Sequence, residues 1–141
     1  ETLPLRMRAH CENAATVAEF LSKHEKVGKV IHPSLMKGED KRRADAVMSG
    51  GYGGLVGFEF NDNGKEAGQK FIDALKMFYH VANIGDSRSL AIHPASTTHS
   101  QLNEEELASG GVSPGYIRLS IGLEHIDDIL ADIDQALAKA E

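Results

Sequence analysis

The sequence predicts an α+β fold, a two-layer α/β sandwich in which a small, mainly antiparallel sheet carries helices on one face. Residues 116–124 are the clearest signal, because Ile117, Leu119 and Ile121 alternate with polar residues, as in a strand with one buried face. The predicted elements run helix, strand, strand, helix, strand, strand, short helix, strand, helix. This order does not alternate strictly and its links are short, which favours antiparallel pairing over βαβ crossovers.

The first sixty residues are predicted to hold one long helix and two strands. The helix spans residues 3–24, because apolar residues recur there at helical spacing. Its apolar stripe consists of Leu3, Met7, Cys11, Ala14, Val17, Ala18, Phe20 and Leu21. The strands are residues 27–32 and 55–60, with a short surface helix at 37–48 between them. Glycines at 50–54 precede the second strand; since no helix follows them, they indicate a turn with a close backbone approach, not a phosphate-binding loop.

The second half of the chain is predicted to hold strands flanked by amphipathic helices. Its elements are a turn at 61–63, a helix from there to about Phe78, strands at 81–83, 89–93 and 116–121, a short helix capped by Asn103, and a helix at 125–138. Gly122 ends the last strand. Because the helices should cover one sheet face, we expect the face that carries Arg118 to remain open to a partner.

Composition excludes several classes of function. The chain has 141 residues, which suits one domain, and a net charge of −6, which leaves no basic stripe for nucleic acid. Cys11 is the only cysteine, so an intrachain disulfide is excluded and a reducing compartment is expected. No apolar run has the length of a membrane span and no signal peptide opens the chain, so we expect a cytoplasmic protein. Glu1 leads straight into a helix, from which we expect that a further segment precedes it.

No catalytic or metal-binding motif emerges from the spacing of reactive residues. Seven histidines are present, but no pair has the helical spacing of a zinc site with an acid between the ligands. Serines and histidines are frequent in residues 83–101, yet no nucleophile elbow is among them. We therefore predict no metal and no catalytic residue within this chain.

Arg118 is the one side chain that suggests a binding site. A guanidinium on a rigid strand presents a planar fork that can grip a carboxylate through two hydrogen bonds. The polar segments 83–87 and 96–99 could complete a site for a small anion. The alternative, a solvated surface arginine, stays open on this reasoning alone.

Two segments carry a family resemblance: NIGDSRSLAIHPASTTHSQL at residues 83–102 and YIRLSIGLE at 116–124. They resemble the C-terminal part of the cysteine/methionine-metabolism family of pyridoxal-phosphate enzymes, most of all its O-acetylhomoserine sulfhydrylases. The resemblance extends from residues 1–3, with Arg6 and His10, through the glycines at 51–54 to the final helix.

The resemblance implies the small C-terminal domain of a fold-type I, aspartate-aminotransferase-like enzyme. Residues 1–25 would be a helix leading into the domain and residues 26–141 the domain itself, with the large cofactor-binding domain upstream and absent from this chain. The Schiff-base lysine and the other cofactor ligands would lie in that upstream domain. The chain alone is therefore expected to be inactive and not to hold pyridoxal phosphate, and the intact enzyme is expected to be a homotetramer.

The resemblance also implies site residues and a reaction. Arg118 would bind the α-carboxylate of the substrate, Asn83 would assist at the same carboxylate, and Thr98 would line the substrate pocket. The implied transferase makes homocysteine from O-acetylhomoserine and sulfide in methionine and cysteine biosynthesis. The alternatives are a cystathionine synthase or methionine γ-lyase of the same family, or a free-standing α+β ligand-binding module.

Overall fold

The computed structural model describes residues 1–61, 64–98, 109 and 113–140. The helices of these residues are α1 (Leu3–Ser22), α2 (Gly38–Val47), α3 (Gly64–Ala74) and α4 (Ile126–Lys139). Their strands are β1 (Val27–Ile31), β2 (Leu55–Phe60), β3 (Tyr79–His80), β4 (Leu90–Ile92) and β5 (Tyr116–Ser120). Short 3-10 turns follow β1 at Pro33–Leu35 and β4 at Pro94–Ser96.

The strands form one sheet in the order β1-β2-β5-β4-β3. The pairs β1–β2, β2–β5 and β4–β5 are antiparallel, and only the edge pair β3–β4 is parallel. The predicted α+β class with a mainly antiparallel sheet is therefore confirmed. β5, the strand from which the fold was predicted, lies at the centre of the sheet and has a strand on each side.

The hydrophobic core lies between one sheet face and the helices α1, α3 and α4. The β2–β5 register sets Val56 opposite Leu119 and Phe58 opposite Ile117, and all four side chains are fully buried. α1 packs on β1 and β2, α3 packs on β2 and β5, and α4 packs against both helices. Phe58 and Phe71 meet edge to face with ring centroids 5.3 Å apart, which joins β2 to α3. The alternation predicted for β5 is confirmed on this face.

The helix predicted to run to Phe78 ends earlier, at Ala74. Asp132 of α4 is the physical reason. Its carboxylate accepts hydrogen bonds from the backbone N–H groups of Lys76, Met77 and Phe78, at 2.8 to 3.3 Å. Those groups would otherwise bond to carbonyls one turn back, so the carboxylate replaces the helical bonds. A side chain more than fifty residues away thus sets the end of α3.

The strand predicted at residues 81–83 is wrong, because the extended pair is Tyr79–His80. The N–H of Val81 bonds to the carbonyl of Tyr79 at 3.1 Å, and the N–H of Asn83 bonds to the carbonyl of Val81 at 3.0 Å. These local bonds curl the backbone and occupy groups that a sheet ladder would need. Residues 81–83 instead begin the loop that reaches β5.

The apolar stripe of α1 is buried only in its C-terminal part, where Ala14, Val17, Ala18 and Leu21 belong to the core. Its first members, Leu3 and Met7, are exposed by 64% and 38%. His10, which the predicted stripe omits, is buried instead. Helical spacing identified an apolar face, but the contacts of α1 with the rest of the domain cover only the C-terminal part of that face.

The close approach predicted for the glycine cluster is confirmed at Gly51. Its φ of +133° is one that residues with a side chain rarely adopt, and a Cβ there would lie 2.7 Å from the Cβ of Cys11 on α1. The surface helix predicted at 37–48 is confirmed as α2. Tyr52 ties it to the cluster, donating to Asp45 at 2.5 Å and accepting from Lys41 at 2.9 Å.

The predicted turn at residues 62–63 and the helix predicted after Asn103 lie outside the described residues. Within the part of the chain that is described, no helix combines the length and the hydrophobicity needed to cross a bilayer.

Candidate functional site

Arg118 lies in the middle of β5, on the sheet face opposite the core. It pairs with Gly57 of β2 on one side and Ile92 of β4 on the other. Its Nη2 donates a hydrogen bond to the backbone carbonyl of Asn83 at 3.3 Å. No carboxylate of the described residues forms an ion pair with this half-buried guanidinium. One edge of the fork is thus oriented by the protein, while its charge remains available to an anion.

Tyr116 lies beside Arg118 on the same face. It occupies the space over Gly57, where an added Cβ would stand 2.6 Å from the tyrosine hydroxyl. Burial raises the pKa of Tyr116 and the positive charge of Arg118 opposes that rise. The phenol therefore stays protonated near neutral pH and can donate a hydrogen bond next to the arginine.

Asn83 meets Arg118 through its backbone, and its side chain turns to its own loop. The Asn83 Oδ1 accepts from the N–H of Ile84 at 2.9 Å. Two residues on, Gly85 has a φ of +72° and donates its N–H to the Ser120 hydroxyl at 3.2 Å. Arg6 of α1 donates to the Gly85 carbonyl at 2.8 Å. The loop that begins at Asn83 is consequently held against β5 and α1.

The far end of this loop is held by a carboxylate. Glu124 accepts from the Ser89 N–H at 2.7 Å and from the Ser89 hydroxyl at 2.8 Å. The same hydroxyl accepts from the Gly122 N–H at 2.9 Å. A Cβ on Gly122 would collide with both the Glu124 carboxylate and the Ser89 backbone, so only glycine fits there. Ser87 is also tied down, because its carbonyl accepts from the Leu123 N–H at 2.8 Å.

The one acidic residue of this loop is neutralised locally. Asp86 receives hydrogen bonds from the guanidinium and the backbone N–H of Arg88, which lower the pKa of Asp86 to about 2. Arg88 in turn lies over the ring of Tyr79, 4.6 Å from its centroid. The Asp86 carboxylate therefore pairs with Arg88 and does not neutralise the positive charge of Arg118.

Thr98 does not join Asn83 and Arg118 in this contact. It is exposed and follows the 3-10 turn after β4, and residues 99–108, which come next, lie outside the described residues. His93, which precedes that turn, is a core residue: its Nε2 bonds to the Pro114 carbonyl at 2.7 Å and its Nδ1 to the Ser96 hydroxyl at 2.9 Å. Of the three predicted site residues, the structure thus places Asn83 and Arg118 in contact, through the Asn83 carbonyl.

A cleft of about 420 Å³ adjoins the loop, and sequence reasoning missed it. Its walls are mostly apolar and include Met7, Pro33, Leu55, Ile84 and Ile121. His10 lies in the wall. Its Nδ1 contacts the Ile121 carbonyl at 2.6 Å, and since a carbonyl only accepts, that nitrogen carries the proton. The elements that form the cleft are far apart in the sequence, so no local pattern could have indicated it.

The described residues do not fit pyridoxal phosphate. All lysines of the chain lie in the described ranges, each is at least partly exposed, and none lines the cleft. A Schiff-base lysine is usually desolvated with a lowered pKa, whereas hydrogen bonds from Lys41 to Asp45 and Tyr52 raise the pKa of Lys41. The glycine cluster leads into β2 and so offers no helix N-terminus to a phosphate. Among the described residues no group of three His, Cys, Asp or Glu could hold a metal ion.

Comparison with known proteins agrees with the motifs. The family described as Cys/Met metabolism PLP-dependent enzyme matches residues 1–138. An O-acetyl-L-homoserine sulfhydrylase of Leptospira meyeri is 54% identical over 97% of this chain and 31% of its own length. An L-methionine gamma-lyase of Pseudomonas putida is 46% identical over 97% of this chain and 34% of its own length.

Solved structures share the fold. An O-acetylhomoserine (thiol)-lyase of Campylobacter jejuni, which carries N'-pyridoxyl-lysine-5'-monophosphate at its position 205, matches with a TM-score of 0.87 and 43% identity. The match covers 97% of this chain and 32% of that one. Cystathionine gamma-lyase of Lactobacillus plantarum, in complex with L-serine, matches with a TM-score of 0.88 and 32% identity, over 99% and 36% of the two chains. The chain spans about a third of the length of these proteins.

Proposed function

The chain belongs to the Cys/Met metabolism family of pyridoxal-phosphate-dependent enzymes, and we propose that it forms the part of such an enzyme that binds the substrate carboxylate. In this proposal residues 1–25 lead into the domain, residues 26–141 form it, and a region outside the chain binds the cofactor. Two findings support the division: the chain spans about a third of its relatives, and its own residues do not fit the cofactor.

The observation that carries the proposal is the environment of the Arg118 guanidinium. Its guanidinium is held on a central strand, is oriented by the Asn83 carbonyl, and has no carboxylate partner among the described residues. A half-buried cation in that state favours an anion, and a carboxylate matches the two parallel N–H groups of the fork. Tyr116 adds a hydrogen-bond donor beside it.

The chain's contribution to catalysis is the binding and orientation of the amino acid. Arg118 grips the α-carboxylate, Asn83 fixes the guanidinium through its carbonyl and assists at the carboxylate, and Thr98 lines the pocket. A substrate gripped at one end by two bonds has little rotational freedom, which aligns its reacting carbon. Pyridoxal phosphate, when bound, supplies the electron sink for the bond changes.

The reaction we propose is sulfhydrylation, in which sulfide replaces acetate on the γ-carbon of O-acetylhomoserine and homocysteine forms. The 54% identity to the Leptospira meyeri sulfhydrylase supports it. A γ-lyase is the second candidate, because the Pseudomonas putida lyase and the Thermus thermophilus sulfhydrylase are both 46% identical to the chain. Homocysteine formation that requires sulfide separates the two activities. Family resemblance alone supports a homotetramer in the cytoplasm.

Arg118→Lys tests the proposal in a polypeptide that contains the chain together with its cofactor-binding region. Lysine keeps the charge but loses the fork, so kcat/KM for O-acetyl-L-homoserine with sulfide should fall by about 30- to 1000-fold. Arg42→Lys, on the exposed surface of α2, is the matched control and should leave kcat/KM unchanged. A wild-type kcat/KM in Arg118→Lys would refute the assignment.

The absence of cofactor chemistry from the chain is tested separately. The 141-residue chain mixed with pyridoxal phosphate should form no stoichiometric adduct that borohydride reduces. Mass spectrometry after reduction and proteolysis measures this directly. A single lysine labelled in full would contradict the proposed division between the two regions.

A further inference from the structure

We infer that Glu124 is a positioning residue for the carboxylate site, which it stabilises through Ser89 and the loop of residues 83–89. The inference rests on the proposed function of Arg118. The loop has no helix or strand of its own, yet it supplies the Asn83 carbonyl that orients the guanidinium. Its shape must therefore be set by hydrogen bonds to the elements around it.

Glu124 and Ser89 are joined by two hydrogen bonds. An ionised carboxylate only accepts hydrogen bonds, and both groups that reach Glu124 donate: the N–H and the O–H of Ser89. Ser89 is fully buried. Its hydroxyl oxygen accepts a hydrogen bond from the Gly122 N–H, and the hydroxyl itself donates to Glu124. Asn13 of α1 holds the same turn from the other side, donating to the carbonyls of Gly122 and Glu124 at 3.1 Å.

Besides the bond from Arg6 of α1, several contacts of the loop lead to β5 and its extension. Ser87 bonds to Leu123, and Gly85 bonds to Ser120, the last residue of β5. Arg118 lies two residues before Ser120 on that strand. The loop and Arg118 are thus attached to the same stretch of backbone. This keeps the Asn83 carbonyl within hydrogen-bonding distance of the Arg118 guanidinium.

The substitution Glu124→Gln disturbs this arrangement with little change in volume. The amide has one accepting oxygen where the carboxylate has two, so one of the two Ser89 donors loses its acceptor. We expect residues 85–89 to loosen and the Asn83 carbonyl to shift away from Arg118. Because small displacements of a binding group are costly, KM for O-acetyl-L-homoserine should rise about tenfold with kcat nearly unchanged.

The experiment compares Glu124→Gln with Asp132→Asn in the same cofactor-containing polypeptide. Asp132 is likewise a carboxylate that accepts hydrogen bonds from backbone N–H groups. It is buried, and it lies at the end of α3, away from the loop. Both variants should lose stability. Only Glu124→Gln should raise KM, and only it should speed hydrogen exchange at residues 85–89 of the 141-residue chain.

An unchanged KM in Glu124→Gln, whatever its stability, overturns the inference, and so does an equal rise of KM in Asp132→Asn. If Glu124→Gln does not fold, Ser89→Ala removes only the bridging hydroxyl and should raise KM about threefold. The Arg118→Lys result separates the two proposals: a wild-type value there refutes the proposed function. An impaired Arg118→Lys with a normal KM in Glu124→Gln refutes only the role of Glu124.

Discussion

The two faces of β5 are built by different physical means. On the core face Ile117 and Leu119 are fully buried against helices, and their positions follow from the apolar alternation of the strand itself. On the opposite face Arg118 is placed by a carbonyl from a distant loop, and that loop is held by polar contacts. The comparison indicates that stability resides mainly in the core face, whereas the opposite face carries the proposed carboxylate site. Substitutions on the two faces should therefore change different observables.

The largest loss of stability is expected from Phe58→Ala on the core face. Phe58 is fully buried and packs edge to face against Phe60 and Phe71, so its removal leaves a cavity at the centre of the core. The free energy of unfolding should fall by about 3–5 kcal/mol in denaturant titrations. Leu55→Ala on the same strand, 41% exposed, is the control and should cost about 1 kcal/mol or less. Equal losses in the two variants would contradict the comparison.

Asp132→Asn should have the next largest effect. Every group bonded to the Asp132 carboxylate is a donor: the backbone N–H groups of residues 76–78 and the side-chain amide of Gln135. An asparagine amide must turn its own donors toward them, which should lower the free energy of unfolding by about 1–3 kcal/mol. Asp134→Asn, exposed on the same helix, should be nearly neutral. A neutral Asp132→Asn would show that α3 ends for another reason.

His93 should make stability depend on pH. Burial lowers the pKa of His93 from its usual 6.5, and the bond to the Pro114 carbonyl only partly opposes this. Below pH 6.5 the unfolded chain therefore binds a proton that the folded chain resists. The stabilisation from the neutral imidazole is complete above about pH 6.5 and is lost as the pH falls toward the folded pKa.

The measurement is the free energy of unfolding between pH 7.5 and 5.5 for the wild type and His93→Asn. The variant should show a shallower decline as the pH is lowered. His32, whose pKa burial also lowers, remains in both proteins and its contribution cancels from the difference. Parallel curves for the two proteins would count against this role of His93.

The smallest effect on stability is expected at Arg118, which sharpens the contrast between the faces. Its described contact is one exposed hydrogen bond of 3.3 Å, so Arg118→Lys should change the free energy of unfolding by no more than about 0.5 kcal/mol. Thermal unfolding of the 141-residue chain measures this. A loss above about 2 kcal/mol would mean that the arginine is structural, and its kinetic effect could no longer be assigned to substrate binding.

Errors in the predicted elements arose where a distant side chain competes with local preference. The apolar spacing of residues 67–78 indicates one continuous helix, but Asp132 ends it at Ala74 by accepting from the N–H groups of residues 76–78. The strand predicted at 81–83 failed for a related reason, since local bonds curl the backbone there. No pattern within either segment carries this information.

The sequence by itself determined the fold class, the central strand β5 with its core face, and Arg118 as the anion-binding candidate. Each of these depends on periodicity along a single element, which burial of an apolar face imposes locally. Only the tertiary structure decided how far α1 is covered, which carbonyl orients Arg118, and that Glu124 closes the loop onto β5. These features join residues 35 or more positions apart, and hydrogen bonds of that range are set by the packing of whole elements and leave no periodic trace in the chain.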